Sequence, residues 1–403
     1  MSENLKNLEL SKILDLEKIR VVGNSIEDAH GLPNECYTNS DYLRIERERI
    51  FKDKWTVIGV GSSVLNPGDA KPYNLLGIPL IILRDKERKI RVFHNVCSHR
   101  GFKLLDESCS LKNVLRCPYH SWSYDFDGKL VGTPHIGGLN VHETDKFDKS
   151  SSNLKEVRTK VWMDIIFINI NGNELEFDEY IKPLEERWSK FISKEDQKLL
   201  KHSKDHGYFS LDVKCNWKFA TENYCESYHL PWIHPKLNVY SRIQDHYHIM
   251  FANEFAGQGT NVYNLADSAG TRLPVFPEWQ TERMKEAEYI TVFPNVLLGI
   301  QADHTFAIVL EPITHSQTVE HVRLMYVGDE SIGETFKGCR DATLKAWKEV
   351  FGEDVGVVEG MQRGRASPGF KGGKFSPILD NPTHYFHQWA AKRLIVSTQS
   401  TRN

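Results

Sequence analysis

Two short segments, each with one cysteine and one histidine, constrain this chain more than any other feature. The first reads CSHRG and supplies Cys97 and His99, and the second reads CPYHSW and supplies Cys117 and His120. Seventeen residues separate His99 from Cys117. A tight loop can aim both side chains of such a pair at one point, so the spacing predicts that the chain folds around a metal centre.

The order of these ligands indicates which metal group they bind. A Cys₂His₂ zinc site usually reads C-x₂₋₄-C followed by H-x₃₋₅-H. Here cysteine and histidine are interleaved, which disfavours a zinc-binding structural protein. In a Rieske [2Fe–2S] centre two thiolates hold one iron and two imidazoles hold the other. Each loop contributes one ligand of each kind, so the pattern favours the iron–sulfur cluster.

A second group of histidines lies in the segment NWKFATENYCESYHLPWIHP, residues 216–235. His229 and His234 are five residues apart, so they would not share a face of a straight helix. Pro231 disfavours continuation of the helix, which lets His234 turn back toward His229. Two histidines and one carboxylate on Fe(II) leave positions open for water and O₂. The alternative is that these are ordinary surface or core histidines, the role we assign to His246, His248, His384 and His387 unless they adjoin substrate.

Both groups resemble those of the Rieske non-haem iron oxygenases, namely the ring-hydroxylating oxygenase large (α) subunits and related monooxygenases. The resemblance extends over essentially the whole chain and includes Arg100-Gly101, Pro118-Tyr119 and Ser121-Trp122. It implies a [2Fe–2S] cluster in the first group and a mononuclear Fe(II) in the second. It also implies that Trp122 shields the cluster from water.

The resemblance further implies the third ligand of the mononuclear iron. In the family this acid lies well downstream, in a segment that GEDVGVVEGMQRG matches, and the match selects Asp354. The neighbouring Glu353 is the first competitor and Glu359 a weaker one. A lone acid near a helix start would otherwise be read as a partner of the helix dipole.

Glu226 lies three residues before His229, a spacing that places both on one face of a helix. The resemblance implies a catalytic role: a carboxylate here joins the cluster of one subunit to the iron of the next, across a homotrimer interface. Without the flanking motif, Glu226 would be an exposed helix residue.

Glutamate at this position departs from the aromatic-ring dioxygenases, which have aspartate, and resembles the oxygenases of quaternary amines such as carnitine or glycine betaine. An aromatic cage could bind such a cation by cation–π attraction. The candidates, which plain core packing would equally explain, are Tyr240, Phe251, Phe255, Tyr263, Phe293 and Phe306.

The predicted function is the terminal oxygenase component of a Rieske system, which hydroxylates a small organic substrate with O₂. Oxidation and C–N cleavage of a quaternary amine is favoured over an aromatic-ring-hydroxylating dioxygenase α subunit. Gly59-Val60-Gly61 does not complete a G-x-G-x-x-G motif, so NAD(P)H acts only through a separate flavin/iron–sulfur reductase. An electron-transfer Rieske protein is the alternative from another class.

The distribution of strands and helices predicts an α+β fold. Short β-branched runs at 55–60, 79–85, 90–96, 123–132 and 162–170 predict an all-β Rieske domain over 55–170. Residues 171–403 mix strands, including 208–219 and 288–329, with helices, including 336–364, as expected of an α+β catalytic domain. The family adds a central antiparallel sheet flanked by helices. Residues 1–54, with a helix at 41–53, form a helical segment expected to pack on the catalytic domain.

Charge and composition exclude several classes of protein. The chain has 51 basic and 54 acidic residues, a net charge of −3, which indicates neither nucleic acid nor membrane as a partner. No apolar run is long enough to span a bilayer, and the polar N-terminus is not a secretory signal. Seven thinly spread cysteines indicate a reducing cytoplasm.

Overall fold

The computed structural model describes residues 3–203, 207–263 and 272–395. The chain divides into two compact units. One combines the chain up to Phe51 with the chain from Leu175 onward, and the other is Lys52–Glu174. Among the described residues, no helix is both long and apolar enough to cross a membrane.

The smaller unit consists of antiparallel strands. Its strands are β1 Thr56–Val60, β2 Asp69–Leu75, β3 Ile78–Arg84, β4 Ile90–His94, β5 Cys109–Ser110, β6 Leu115–Arg116, β7 Ser123–Tyr124, β8 Leu130–Gly132, β9 Glu156–Trp162 and β10 Ile165–Asn169. Seven form a sheet in the order β1-β10-β9-β4-β3-β2-β5, and three form a second sheet, β6-β7-β8. Ile81, Leu83 and Phe93 pack in one apolar core with Cys97 and Cys117. The loops that carry the cysteines are therefore anchored on the core.

The larger unit contains the longest strands and helices. Its helices are α1 Glu3–Ser11, α2 Leu16–Val21, α3 Glu35–Thr38, α4 Ser40–Glu46, α5 Phe177–Trp188, α6 Lys194–Gln197, α7 Trp217–Cys225, α8 Leu230–Ile233, α9 Leu237–Tyr240, α10 Gly328–Ser331, α11 Lys337–Gly364 and α12 Asn381–Leu394. Its strands are β11 Leu200–Lys201, β12 Tyr208–Val213, β13 His246–Phe251, β14 Phe255–Thr260, β15 Ala287–Val292, β16 Val296–Ile300, β17 His304–Thr314 and β18 Gln317–Val327. They form one antiparallel sheet in the order β11-β18-β17-β16-β15-β14-β13, and β12 also pairs with β18. Helices packed on an antiparallel sheet confirm the α+β class.

Helix α11 lies against this sheet along one inward stripe. Its buried residues recur every four positions from Cys339 through Thr343 and Trp347 to Phe351, the spacing that keeps side chains on one helix face. Trp347 and Phe351 pack with Phe306 of β17. Loss of a buried tryptophan from such a core costs about 3–5 kcal/mol. The stripe fixes the rotation of α11 about its axis. It therefore also sets the direction of Glu353 and Asp354, which follow Phe351 on the same helix.

Several predicted boundaries differ from the structure. The helix predicted over 41–53 is α4 followed by a π-helical turn, Arg47–Phe51. The strand predicted over 208–219 ends at Val213, because the Asn216 side chain accepts a hydrogen bond from Lys218 N and caps α7. Strand β9 was missed, since its partly exposed residues give a weak apolar pattern.

Candidate active site with two metal centres

The two Cys/His loops of the smaller unit have the same backbone form. The Cys97 N–H donates to the Phe102 carbonyl (2.8 Å), and the Cys117 N–H donates to the Trp122 carbonyl (2.8 Å). The fourth residue after each cysteine donates back to the cysteine carbonyl: Gly101 at 2.9 Å and Ser121 at 3.0 Å. Both of these residues have positive φ, 72° and 59°, a region that favours glycine. Each loop therefore wraps tightly around its cysteine.

The four side chains sort by chemical type. The Cys97 and Cys117 thiols are hydrogen-bond neighbours, and the His99 and His120 rings lie 4.6 Å apart between centroids. A single zinc ion would require all four ligand atoms to lie close together. Among the described residues, these four do not form a group whose ligand atoms all lie within 4.8 Å of one another. Two thiols side by side and two imidazoles side by side are the donor set of a two-iron Rieske cluster.

The state of individual ligand atoms tests whether such a cluster fits. His120 Nδ1 is buried and has no hydrogen-bond partner, so it is available to a metal. Burial, together with the charges of His120 and Arg100, lowers the pKa of His99, which favours the neutral imidazole that a metal binds. Burial and the adjacent Cys97 raise the pKa of the Cys117 thiol, and a metal stabilises the thiolate. The residues fit a [2Fe–2S] cluster.

Two aromatic residues surround these ligands. The Trp122 ring is buried and stacks on His99 at 4.6 Å between centroids, where the resemblance placed a shield against water. Sequence reasoning missed Tyr124, whose hydroxyl lies 3.3 Å from Cys97 Sγ and accepts from Ser98 N at 3.1 Å. Hydrogen bonds to the sulfur tune the potential of such clusters. The sequence did offer a signal for Tyr124, because it lies two residues after Trp122.

The histidines of the larger unit flank one short helix. Helix α7 ends at Cys225, and His229 and His234 are the N-cap and C-cap residues of α8. Pro231 lies in the first turn of α8, where its missing N–H costs nothing. The prediction that Glu226 and His229 share a helix face is wrong, because Glu226 has extended backbone, φ −128°. A turn joins them instead, and Glu226 Oε2 accepts from Tyr228 N and His229 N.

Asp354 of α11 completes a cluster with these histidines. Its Oδ1 lies 3.0 Å from His234 Nε2 and 3.7 Å from His229 Nε2, and all three ligand atoms lie within 4.8 Å of one another. Asp354 Oδ1 is buried, and it faces the two ring nitrogens. The residues therefore fit a two-His, one-carboxylate iron site.

Each histidine is held from its other nitrogen by a second carboxylate. His229 Nδ1 lies 2.7 Å from Glu226 Oε1, and His234 Nδ1 lies 2.7 Å from Glu353 Oε2. Such partners fix the ring tautomer and direct Nε2 at the metal. Burial lowers the pKa of His234, but hydrogen bonds to Asp354 and Glu353, together with the charges of these two acids, outweigh burial and raise the pKa. Glu359 instead accepts from Lys214 N at 3.0 Å.

A cleft opens at the three ligands and has two kinds of wall. Aromatic residues from α7, β15 and α11 line one side: Tyr224, Tyr289, Trp347 and Phe351. Ser241, His246 and Gln258 line another. His246 thus adjoins the site, whereas His384 and His387 bond Val22 O and Leu32 N in the core.

None of the six residues predicted as an aromatic cage lines this cleft. Tyr263 and Phe306 pack behind Trp347. Phe251 stacks on Phe255, and Phe293 packs on Phe386 and Trp389. The aromatic content of this region was predicted, but the side of the sheet on which each ring lies was not.

The sequence matches two protein families. Residues 54–143 match the Rieske [2Fe–2S] domain, and residues 200–395 match the ring hydroxylating alpha subunit (catalytic domain). The carnitine monooxygenase oxygenase subunit of Acinetobacter pittii (strain PHEA-2) is 26% identical over 345 residues, 84% of this chain and 86% of that protein. The chloroplastic choline monooxygenase of Arabidopsis thaliana is 24% identical, over 90% of this chain and 82% of that protein.

Solved structures share the fold. A quaternary ammonium Rieske monooxygenase linked to carnitine oxidation by gut microbiota superposes with a TM-score of 0.75, at 25% identity, over 93% of this chain and 98% of that one. Naphthalene 1,2-dioxygenase from Rhodococcus sp. superposes with a TM-score of 0.70 at 17% identity, over 98% of this chain and 99% of that one. The second likeness concerns the fold alone.

Proposed function

The chain belongs to the Rieske oxygenases, which join a Rieske [2Fe–2S] domain to the catalytic domain of a ring-hydroxylating α subunit, and we propose that it oxidises a quaternary amine as the terminal oxygenase of its system. The catalytic-domain match over residues 200–395 argues against the two alternative functions, a pure electron-transfer protein and a zinc-binding structural protein.

In this proposal the smaller unit carries the cluster that would accept electrons from the reductase. Cys97 and Cys117 would hold one iron of the cluster, and His99 and His120 would hold the other. Trp122 covers His99, and the Tyr124 hydroxyl lies 3.3 Å from the Cys97 sulfur, so both would adjust the potential at which the cluster accepts an electron.

His229, His234 and Asp354 of the larger unit would hold the catalytic iron. The proposal depends on one observation: His229 Nε2 and His234 Nε2 converge on the buried Oδ1 of Asp354. When bound, Fe(II) in such a site activates O₂ at its open positions. Glu353 is then a positioning residue that orients His234, and no longer a rival ligand.

We propose monooxygenation as the overall reaction. One C–H bond, one O₂, two electrons and two protons give one C–OH group and one water. The electrons come from NAD(P)H through a separate reductase. If the hydroxylated carbon bears nitrogen, its C–N bond breaks to release an amine and a carbonyl compound. Glu226 and the quaternary-amine oxygenases among the relatives favour this reading over aromatic-ring dioxygenation.

Assembly as a homotrimer would bring the cluster of one subunit to the iron of the next, with Glu226 as the link. Large apolar residues are exposed beside both centres. Tyr119, 56% exposed, lies 3.8 Å from His120 between ring centroids. Trp232, 70% exposed, packs on Tyr228 next to His229. We propose that these exposed aromatic residues lie in the interface between subunits, where a closed ring of three copies would cover both surfaces.

The compartment we propose is the cytoplasm. Seven cysteines spread thinly over the chain are typical of a protein in a reducing environment.

The proposal is tested with the purified chain, a surrogate reductase and NADH. We expect O₂ uptake that depends on choline, glycine betaine or carnitine and is matched by loss of that compound. Uptake stimulated only by toluene or naphthalene would instead assign the chain to the aromatic-ring dioxygenases.

A further inference from the structure

One aromatic residue of the cleft wall is bonded to a pair of ionisable side chains that the proposed reaction does not use. The Trp347 Nε1–H donates to His304 Nε2 at 2.8 Å, and His304 Nδ1 lies 2.6 Å from Asp303 Oδ1. Trp347 is 2% exposed and His304 is 0% exposed, whereas the Asp303 side chain is 14% exposed. The three side chains therefore connect the cleft to a carboxylate that reaches solvent.

These contacts fix where each proton lies. An indole N–H can only donate, so His304 Nε2 is the acceptor and Nδ1 carries the ring proton toward Asp303. His304 can thus take up one more proton at Nε2, and the imidazolium that forms would be paired with the Asp303 carboxylate. A hydrogen bond that served only to hold the Trp347 ring would need an acceptor but not a base.

Two tyrosines of the same region lack such a base. Tyr263 stacks on Trp347 at 6.2 Å between centroids, and its buried hydroxyl has no hydrogen-bond partner within the described part of the chain. The Tyr224 hydroxyl donates to the Leu298 carbonyl at 2.8 Å, and a carbonyl does not take up the proton. Removal of an electron makes an N–H or O–H group strongly acidic, so oxidation is favoured where a base adjoins it. Trp347 is therefore easier to oxidise than either tyrosine.

Trp347 also lies near the proposed iron ligands. It lines the same cleft as His234 and Asp354, and it precedes Asp354 by two turns of α11. Seven residues of helix span about 10 Å, a short distance for an electron to cross. Fe(II) in such a site activates O₂, and an oxidant that meets no substrate would instead attack the residues around it.

We propose that Trp347 is a protective electron donor to the iron site. When an oxidant forms there without a substrate to oxidise, Trp347 gives it one electron, and the Nε1 proton passes to His304 Nε2. Trp347 is then a neutral radical, and the oxidant has gained one electron. One electron from the reductase, with the proton returned by His304, restores the indole. The inference needs the proposed iron site but not the proposed substrate.

Hydrogen peroxide is the probe, because it supplies an oxidant without reductase or substrate. The holoenzyme, with its cluster oxidised and Fe(II) in place, is mixed with peroxide and frozen at set times. Electron paramagnetic resonance measures the organic radical, and ring-deuterated tryptophan in the protein narrows the signal if the radical is on tryptophan. We expect a tryptophan radical in the wild type and its loss in Trp347→Phe.

Another buried tryptophan provides the matched control. The Trp389 Nε1–H donates to Glu254 Oε2 at 2.8 Å, so it also has a base beside it. Trp389 packs on Phe293 and is not among the described residues that line the cleft. Trp389→Phe should therefore leave the radical signal unchanged.

His304→Gln separates the holding of the ring from the acceptance of its proton. A glutamine oxygen can accept the Trp347 N–H but cannot take up its proton. Radical formation should slow at least about tenfold in His304→Gln, because a positioned base contributes factors of this size or larger. Iron content and the cluster spectrum check that both centres are intact. Mass spectrometry of the same samples should show more oxygen added to His229 and His234 in His304→Gln and in Trp347→Phe.

The outcomes distinguish this inference from the proposed function. A radical of wild-type yield in Trp347→Phe, or no tryptophan radical in wild type with its iron site filled, overturns the inference. Radical formation at the wild-type rate in His304→Gln overturns the role of His304 as a base. Since no amine is present, none of these results affects the quaternary-amine proposal, which fails separately if no quaternary amine stimulates O₂ uptake.

Discussion

Between positions 97 and 120, two loops of one backbone form supply all four proposed ligands of the cluster. The proposed iron ligands are gathered differently, since His229 and His234 flank helix α8 while Asp354 comes from α11, more than a hundred residues later. The first centre depends on local backbone geometry around Gly101 and Ser121. The second depends on how the apolar stripe of α11 packs against the sheet. The two centres should therefore fail separately.

The largest expected effect is loss of the whole cluster. Cys97→Ala or Cys117→Ala removes a thiolate that no neighbour replaces, so the visible [2Fe–2S] absorption should disappear. Cys109→Ala is the matched control, because Cys109 is exposed on β5 and should leave the spectrum intact. A dispensable Cys117 with an essential Cys109 would contradict the loop assignment.

The next effect separates the second centre from the first. Asp354→Ala should abolish oxygenation and lower mononuclear iron content, while the protein stays red-brown, since the two sites use different ligands. Iron and sulfide analysis beside the visible spectrum measures both. Glu359→Gln is the control, as Glu359 bonds Lys214 N. Full activity in Asp354→Ala would move the third ligand elsewhere.

A smaller effect is expected at Glu226, which we propose as the link between the two centres. Glu226→Gln keeps the size of the side chain but removes its charge. Because Glu226 also holds His229, Fe(II) is supplied in excess to fill the iron site, and the reductase should still reduce the cluster. Reoxidation of the reduced cluster with substrate and O₂ should slow at least about tenfold, as for other residues that hold a metal-binding histidine. Single-turnover decay at the wild-type rate would leave Glu226 as an ordinary turn residue.

The smallest effect tests the partner of His234. Glu353→Gln should weaken Fe(II) binding by about 10–100-fold without removing a ligand. Metal titration of the apo iron site, with the cluster spectrum as the check on folding, measures this. Lys236→Met is the surface control, since Lys236 pairs with the exposed Glu349 of α11, the helix that also carries Glu353. Unchanged affinity in Glu353→Gln would mean that packing alone positions His234.

The two centres also differ in how much of each could be predicted from the sequence. The cluster loops could be read directly, because ligand spacing within a tight loop is a local property. Tyr124 could have been found in the same way, from its place on β7 beside the second loop. The role of Glu353 could not, because its 2.7 Å contact with His234 joins residues 119 positions apart.

The sequence by itself determined the family, the α+β class and the candidate ligands, because ligand type, spacing and apolar periodicity are written along the chain. Only the tertiary structure decided that Glu226 reaches His229 through a turn, that Tyr289, Trp347 and Phe351 line the cleft, and that Phe251 and Phe293 pack elsewhere. The physical reason is that the side of a strand or helix on which a ring lies depends on register and rotation. Those are set by packing among distant segments, and no local pattern records them.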